Sequence, residues 1–163
     1  MSNLKKASVK KVRKALKDAG LNDTVIELDE TARTAEDAAK STGAELGAIV
    51  KSLIFMVGAT PVMVLVAGDH TCITENLPRA LNLEGVVSKA SASEVKEASG
   101  FSIGGCAPIA HPAPLPMVID VSLKRFETLY AAAGHPHCVF PTTVVELKRL
   151  TGGIISYNIA VPN

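Results

Sequence analysis

Leu4, Val9, Val12, Leu16 and Ala19 recur at helical spacing with basic residues between them and Gly20 behind, which predicts an amphipathic helix over residues 3–19. VIELDE (25–30) reads as a short strand, and the stretch from Thr34 to Gly43 as a helix that starts at a threonine cap and stops at glycine. Two β-branched apolar runs follow, AIVKSLIFMV (48–57) and PVMVLVAG (61–68), separated by Gly58-Ala59-Thr60; this is the grammar of a hairpin at the centre of a sheet. TENLPRALNL opens a further helix near Thr74, VVSKA is a strand, and SASEVKEASG is a helix between serine caps and Gly100. MVIDVSL is a strand, a short helix is expected at LKRFETLYAAAG, and a last helix opens at Pro141 or Thr142, runs through Leu150 and stops at Gly152-Gly153 before the terminal strand ISYNIAV. Strands and helices alternate too irregularly for a doubly wound fold. The expected class is α+β: a mixed, largely antiparallel sheet surrounded by helices.

The 163 residues, 47% of them apolar, are expected to make a single domain spanning 1–163 with one well-buried core. No run is long and apolar enough for a membrane helix, and MSNLKKASVKKV lacks the apolar region of a signal peptide, so the expectation is a cytoplasmic protein with no membrane partner. The net charge of +1 conceals an asymmetry: Lys5, Lys6, Lys10, Lys11, Arg13, Lys14 and Lys17 all precede the first acidic residue, and the rest of the chain carries 10 basic against 16 acidic residues. A basic first helix fits either a solvated face or a surface for a polyanion.

Glycine and proline crowd into GFSIGGCAPIAHPAPLP (100–116), where Gly104 to Pro108 form Gly-x-x-x-Pro. Such a loop is stiff, and its unprotected amides can converge on an oxygen. It is neither a P-loop nor a dinucleotide fingerprint. Lys51 is the lone charge in its apolar run; on a strand it shares a face with Leu53, Phe55 and Val57, and its ammonium must either reach water at the sheet edge or face an anion in a pocket. Cys106 lies within the loop, and His70, His111, His135 and His137 offer bases, so a thiol hydrolase stands as an alternative. Cys72, Cys106 and Cys138 lack metal or redox spacing, and His135-Pro-His137-Cys138 has no matching second half, so neither a metal nor another cofactor is expected. Asp120, inside MVIDV, reads as a cap for the SLKRF segment, and Asp69 and His70 follow the second hairpin strand, where a hairpin or loop end would place them.

Taken in order, VKSLIFMV with Lys51, PVMVLVAGD, GFSIGGCAPIAHPAPLPMVID, FETLYAAAG and the ELKRLTGG end make the chain, over roughly residues 20 to 160, similar to the YbaK/prolyl-tRNA-synthetase-associated (INS-like) editing domains. The resemblance implies a free-standing deacylase that cleaves the ester between a wrong amino acid and the terminal adenosine of a tRNA, with mischarged tRNA as partner and a synthetase as a possible second one. It implies that Lys51 lies against the terminal nucleotide and its phosphate, and that Gly104, Gly105, Cys106, Ala107 and Pro108 cradle the aminoacyl carbonyl. Ser52, Phe55 and His137 are the implied substrate-pocket residues, with small amino acids (alanine, serine, threonine or cysteine) as the substrates. Lys10, Lys11 and Lys14 are the expected tRNA contacts. The loop departs from the family pattern after Pro108, where Ile109-Ala110-His111-Pro112 follows. A non-catalytic tRNA- or synthetase-binding module remains the other reading.

Overall fold

A computed structural model of the protein describes residues 2–28 and 34–163. Its elements are α1 (Ala7–Asp18), β1 (Ile26–Glu27), α2 (Ala35–Thr42), β2 (Val50–Val57), β3 (Thr60–Ala67), β4 (His70–Cys72), α3 (Leu77–Leu81), β5 (Val87–Lys89), α4 (Ala92–Ser99), β6 (Met117–Asp120), β7 (Leu129–Ala132), β8 (Cys138–Thr142), α5 (Val144–Thr151), β9 (Ile154–Ser156) and β10 (Ala160–Pro162). Short 3-10 turns precede α1, β2 and α3 and follow β6.

Local chemistry sets the helix ends. The Thr34 hydroxyl accepts from the Asp37 amide at 3.1 Å, and Gly43 closes α2 in the left-handed conformation. Ser91 and Glu94 form a reciprocal capping box on α4. Asp120 caps the turn after β6 through the Ser122 amide, 3.1 Å, as its position in the sequence suggests.

The central sheet runs β5-β2-β3-β6-β9, with β2 antiparallel to both β5 and β3, and with β6 added parallel to β3 and β9 parallel to β6. A second antiparallel sheet, β1-β8-β7, touches the first through a parallel bridge between Ile49 and Tyr130, and β4 pairs with β10. β3 is buried from Val62 to Ala67, because both of its faces are covered. With side chains alternating along each strand, Val50, Ile54, Met63, Leu65 and Ile119 pack with α1, the loop around Phe101 to Ile109, β7, β8 and α5. Leu53, Phe55, Val57, Val62, Val64 and Val118 form the other face, against α3 and Ile159. The expected α+β class, a mixed sheet among helices, is the observed one.

The differences lie after β6. LKRFETLYAAAG is not a helix: Val121–Arg125 make one 3-10 turn, and Leu129–Ala132 are β7. Three alanines favour helix locally, yet alternating burial of Leu129 and Ala131 against β8 is worth more than that preference. Cys138–Thr142 form β8, which takes up Pro141 and Thr142 where the last helix is expected to open, so α5 begins later, capped by Thr143. The VIELDE strand is observed at Ile26–Glu27; Asp29 and Glu30 lie outside the described residues.

Candidate active site

Among the described residues β5 pairs with β2 only from Phe55 to Val57 and β7 is bridged only to Ile49, just before β2, so the strand has an edge without ladder partners between them. The Gly68 amide donates to Ile49 O at 2.8 Å and the Gly58 amide to Val86 O at 2.9 Å, which assigns odd-numbered residues of β2 to β3 and even-numbered ones to the far side. The main-chain N–H and C=O of Ser52 are thereby directed into the gap. A cavity of about 350 Å³ occupies it, walled by Lys51, Ser52, Phe55, Gly104, Cys106 and Pro136 among others. The Ser52 hydroxyl is buried with no hydrogen-bond partner among the described residues. Most of the remaining walls are apolar, including Ile49, Leu53, Ile54, Val95, Ile103 and Val139.

Lys51 shares its face of β2 with Leu53 and Phe55, as alternation requires. Its ammonium donates to the main-chain carbonyl of His70 and is half-buried. An ammonium has three donors, and this bond uses one of them. The corner supplying that carbonyl is braced: Asp69 accepts from Arg125 at 3.0 and 2.7 Å and lies 2.8 Å from His70 Nδ1. Chiefly through the Arg125 bonds, the Asp69 carboxyl is held well below its ordinary range.

The Gly104 to Pro108 loop reaches the cavity from the opposite face of the sheet, so it and Lys51 meet as two walls of one space at the open edge. Gly104 takes φ +94°, and a Cβ on Gly105 would sit 2.9 Å from His135 N, which is why glycines stand there. The Gly105 amide is engaged with Ser102 O at 3.2 Å. Among the described residues no partner meets the N–H groups of Gly104, Cys106 and Ala107, although Cys106 and Ala107 are buried. Unpaired amides in such a place are rare. Gly104 and Cys106 line the cavity, whereas Gly105, Ala107 and Pro108 stand behind them. His111, which sequence reasoning offered only as a base, donates from Nε2 to Ala107 O at 2.7 Å and so fixes the loop's direction. Burial lowers the His111 pKa, an effect partly offset by that bond.

Cys106 is a buried free thiol. It is 5% exposed, and burial, only partly opposed by Ser99 and Lys11, pushes its thiol up. His137 is not in the cavity wall: its amide donates to His135 Nδ1 at 3.1 Å and its ring packs edge-on against His135, because the 134–138 turn directs Pro136 to the cavity instead. Lys10, Lys11 and Lys14 of α1 also separate. Lys10 is exposed, Lys14 is exposed and paired with Asp18 at 2.6 Å, and Lys11 points inward to Gly100 O. Among the described residues no group of three or more histidine, cysteine, aspartate and glutamate side chains is placed to hold a metal ion.

The family model of the aminoacyl-tRNA editing domain matches residues 29–150. YwhH of Bacillus subtilis (strain 168) is 30% identical over 145 residues, 88% of this chain and 91% of that protein. A proline–tRNA ligase of Lysinibacillus sphaericus (strain C3-41) is 33% identical over 85 residues, 52% of this chain and 15% of the ligase. A solved structure described as a candidate trans-editing enzyme for prolyl tRNA synthetase superposes with a TM-score of 0.88 at 35% identity, covering 96% of this chain and 98% of that one. With the family model running from before α2 to the end of α5, through both walls of the cavity, this chain belongs to the aminoacyl-tRNA editing domain family.

Proposed function

We propose that the protein is a deacylase that hydrolyses the ester of a mischarged aminoacyl-tRNA. The observation that carries this reading is the pair of unpartnered amides, Gly104 and Cys106, on the wall of a cavity that Lys51 also lines. In ester hydrolysis a water oxygen bonds to the acyl carbon, the carbonyl oxygen gains negative charge, and the bond to the ribose oxygen then breaks; a proton of the water ends on that ribose oxygen, and the amino acid and the tRNA are released. Donors already fixed where that charge develops stabilise the transition state without reorganising, which is worth about 10²–10³-fold in rate for one donor. Lys51, tied by one donor to His70 O, offers the others to the terminal nucleotide and its phosphate. The His111 bond to Ala107 O keeps that carbonyl from turning toward the developing charge.

A cavity of about 350 Å³ with mainly apolar walls suits a small aminoacyl group. The tRNA for proline heads the candidates, since one matched relative is a proline–tRNA ligase and the matched structure is described in terms of prolyl tRNA synthetase. The test is deacylation of a panel of tRNAs charged with alanine, serine, threonine, cysteine or their cognate amino acids. Lys51→Ala is expected to abolish release, and Cys106→Ala to spare it, since the working group there is the amide and not the thiol. Loss on Cys106→Ala with survival of Lys51→Ala would select the thiol hydrolase. Binding of charged tRNA without release of any amino acid would select the non-catalytic module.

A further inference from the structure

We infer that Lys11 of α1 is a positioning residue that holds the cavity's donor loop in shape, and not a contact for tRNA phosphate. This rests on the deacylase reading only for its kinetic consequence.

Of Lys10, Lys11 and Lys14, only Lys11 turns its amine to the protein and spends it there. Its Nζ donates to Gly100 O at 3.2 Å, a bond spanning 89 residues of chain, and lies 4.1 Å from the centroid of the Phe101 ring. Gly100 ends α4 at φ +80° and is the hinge where the loop begins. The same carbonyl accepts from Lys96 at 3.1 Å, so two cations converge on it. Burial, and then the neighbouring Lys96, hold the Lys11 pKa below its ordinary value. Phe101 passes the constraint inward: its amide donates to Ser99 Oγ at 3.0 Å, and its ring meets His111 edge-on at 6.3 Å, the histidine that fixes Ala107 O.

The helix also supports the tip of the loop. A Cβ on Gly134 would stand 2.4 Å from Ser8 O in α1, and one on Gly105 would stand 2.9 Å from His135 N. Ser8, the Gly134–His135 backbone and Gly105 are therefore stacked with no side chain between them. α1 bears on the loop directly at Gly100 and, through the Gly134–His135 backbone, on Gly105, while Val9, Val12 and Leu16 bury it in the core. It lies outside residues 29–150, so this brace is separate from the segment that the family model describes.

Lys11→Met keeps an unbranched stem and removes the cation that bonds Gly100 O and lies over Phe101. Measured on the full chain with a charged tRNA that the protein deacylates, it is expected to lower kcat about tenfold, as displacement of a positioned group does, with KM and its salt dependence unchanged. Lys11→Arg is expected to restore kcat, since a guanidinium can both bond the carbonyl and stack on the ring. Hydrogen exchange without substrate is expected to speed up in residues 100–108 of Lys11→Met alone. A raised KM with a flattened salt dependence and intact kcat, the behaviour expected of Lys10→Glu, would overturn the inference in favour of a phosphate contact. Unchanged kcat, or faster exchange spread evenly over the molecule, would overturn it as well. If the wild-type protein releases no amino acid from any tRNA, the deacylase reading fails, and the exchange of residues 100–108 alone decides for or against the brace.

Discussion

Gly105 has no room for a side chain: a Cβ there would meet His135 N and Cα at 2.9 Å and Gly134 C at 3.1 Å, all of them backbone atoms that cannot swing aside. Gly105→Ala must displace either the loop or the 134–138 turn. Gly152 makes the informative contrast, because its Cβ would meet nothing within 4 Å and only its φ of +70° resists substitution. Gly152→Ala is expected to cost about 1 kcal/mol of stability, from the left-handed backbone alone, and to leave kcat unchanged. Gly105→Ala is expected to lower kcat by about tenfold or more, because the neighbouring amides of Gly104 and Cys106 move with it. Thermal melts of both variants, set beside their deacylation kinetics, separate the two effects; equal kcat in both would show that the loop's position does not matter.

At the scale of elements, the β3–β4 corner places Lys51 by presenting His70 O, and the Asp69–Arg125 pair holds the corner. The folded carboxyl of Asp69 lies below its ordinary 3.8, so its contribution to stability is fully present above that value and is lost as pH falls beneath it. Side chains 34% and 43% exposed limit the contribution to about 1 kcal/mol or less. The gap in stability between the wild type and Asp69→Asn is expected to be largest near neutral pH and to close below about pH 4. Denaturant titrations at a series of pH values check it, and a gap that widens on acidification would sink the account. Elements built by local signals were legible in the sequence. The β2–β3 hairpin, the capped α4 and the amphipathic α1 each carry their pattern within a few turns of chain. β7 and β8 were not, since Leu129–Ala132 becomes a strand only by pairing with Cys138–Thr142. The site divides along the same line. Lys51 stood out as one charge in an apolar run, and Gly104 to Pro108 as a rigid loop, whereas the His111 bond to Ala107 O, the hold of Lys11 on Gly100 O and the presence of Pro136 rather than His137 in the wall all depend on tertiary packing.

Over the whole molecule, the charge asymmetry takes a spatial form once α1 is docked. Arg13 is bound to Asp23 at 2.7 Å and Lys11 to Gly100 O at 3.2 Å, so the inward side of the helix spends its cations on the protein. Lys5, Lys6, Lys10, Lys14 and Lys17 remain exposed, on a body whose residues after Lys17 carry 10 basic and 16 acidic groups. A polyanion approaching the cavity would be drawn to that outward face and repelled by much of the rest, and each phosphate it neutralises would release counterions. Lys10→Glu combined with Lys14→Glu is therefore expected to raise KM for charged tRNA several-fold at low salt, with kcat unchanged and the logarithmic salt slope smaller by about 1 for every phosphate that is no longer neutralised. The two KM curves should converge as added salt screens the wild-type attraction. Measuring KM over a range of potassium chloride concentrations decides it: parallel curves, or a fall in kcat at constant KM, would mean that the outward face of α1 does not meet the tRNA and that the helix serves the cavity only from within.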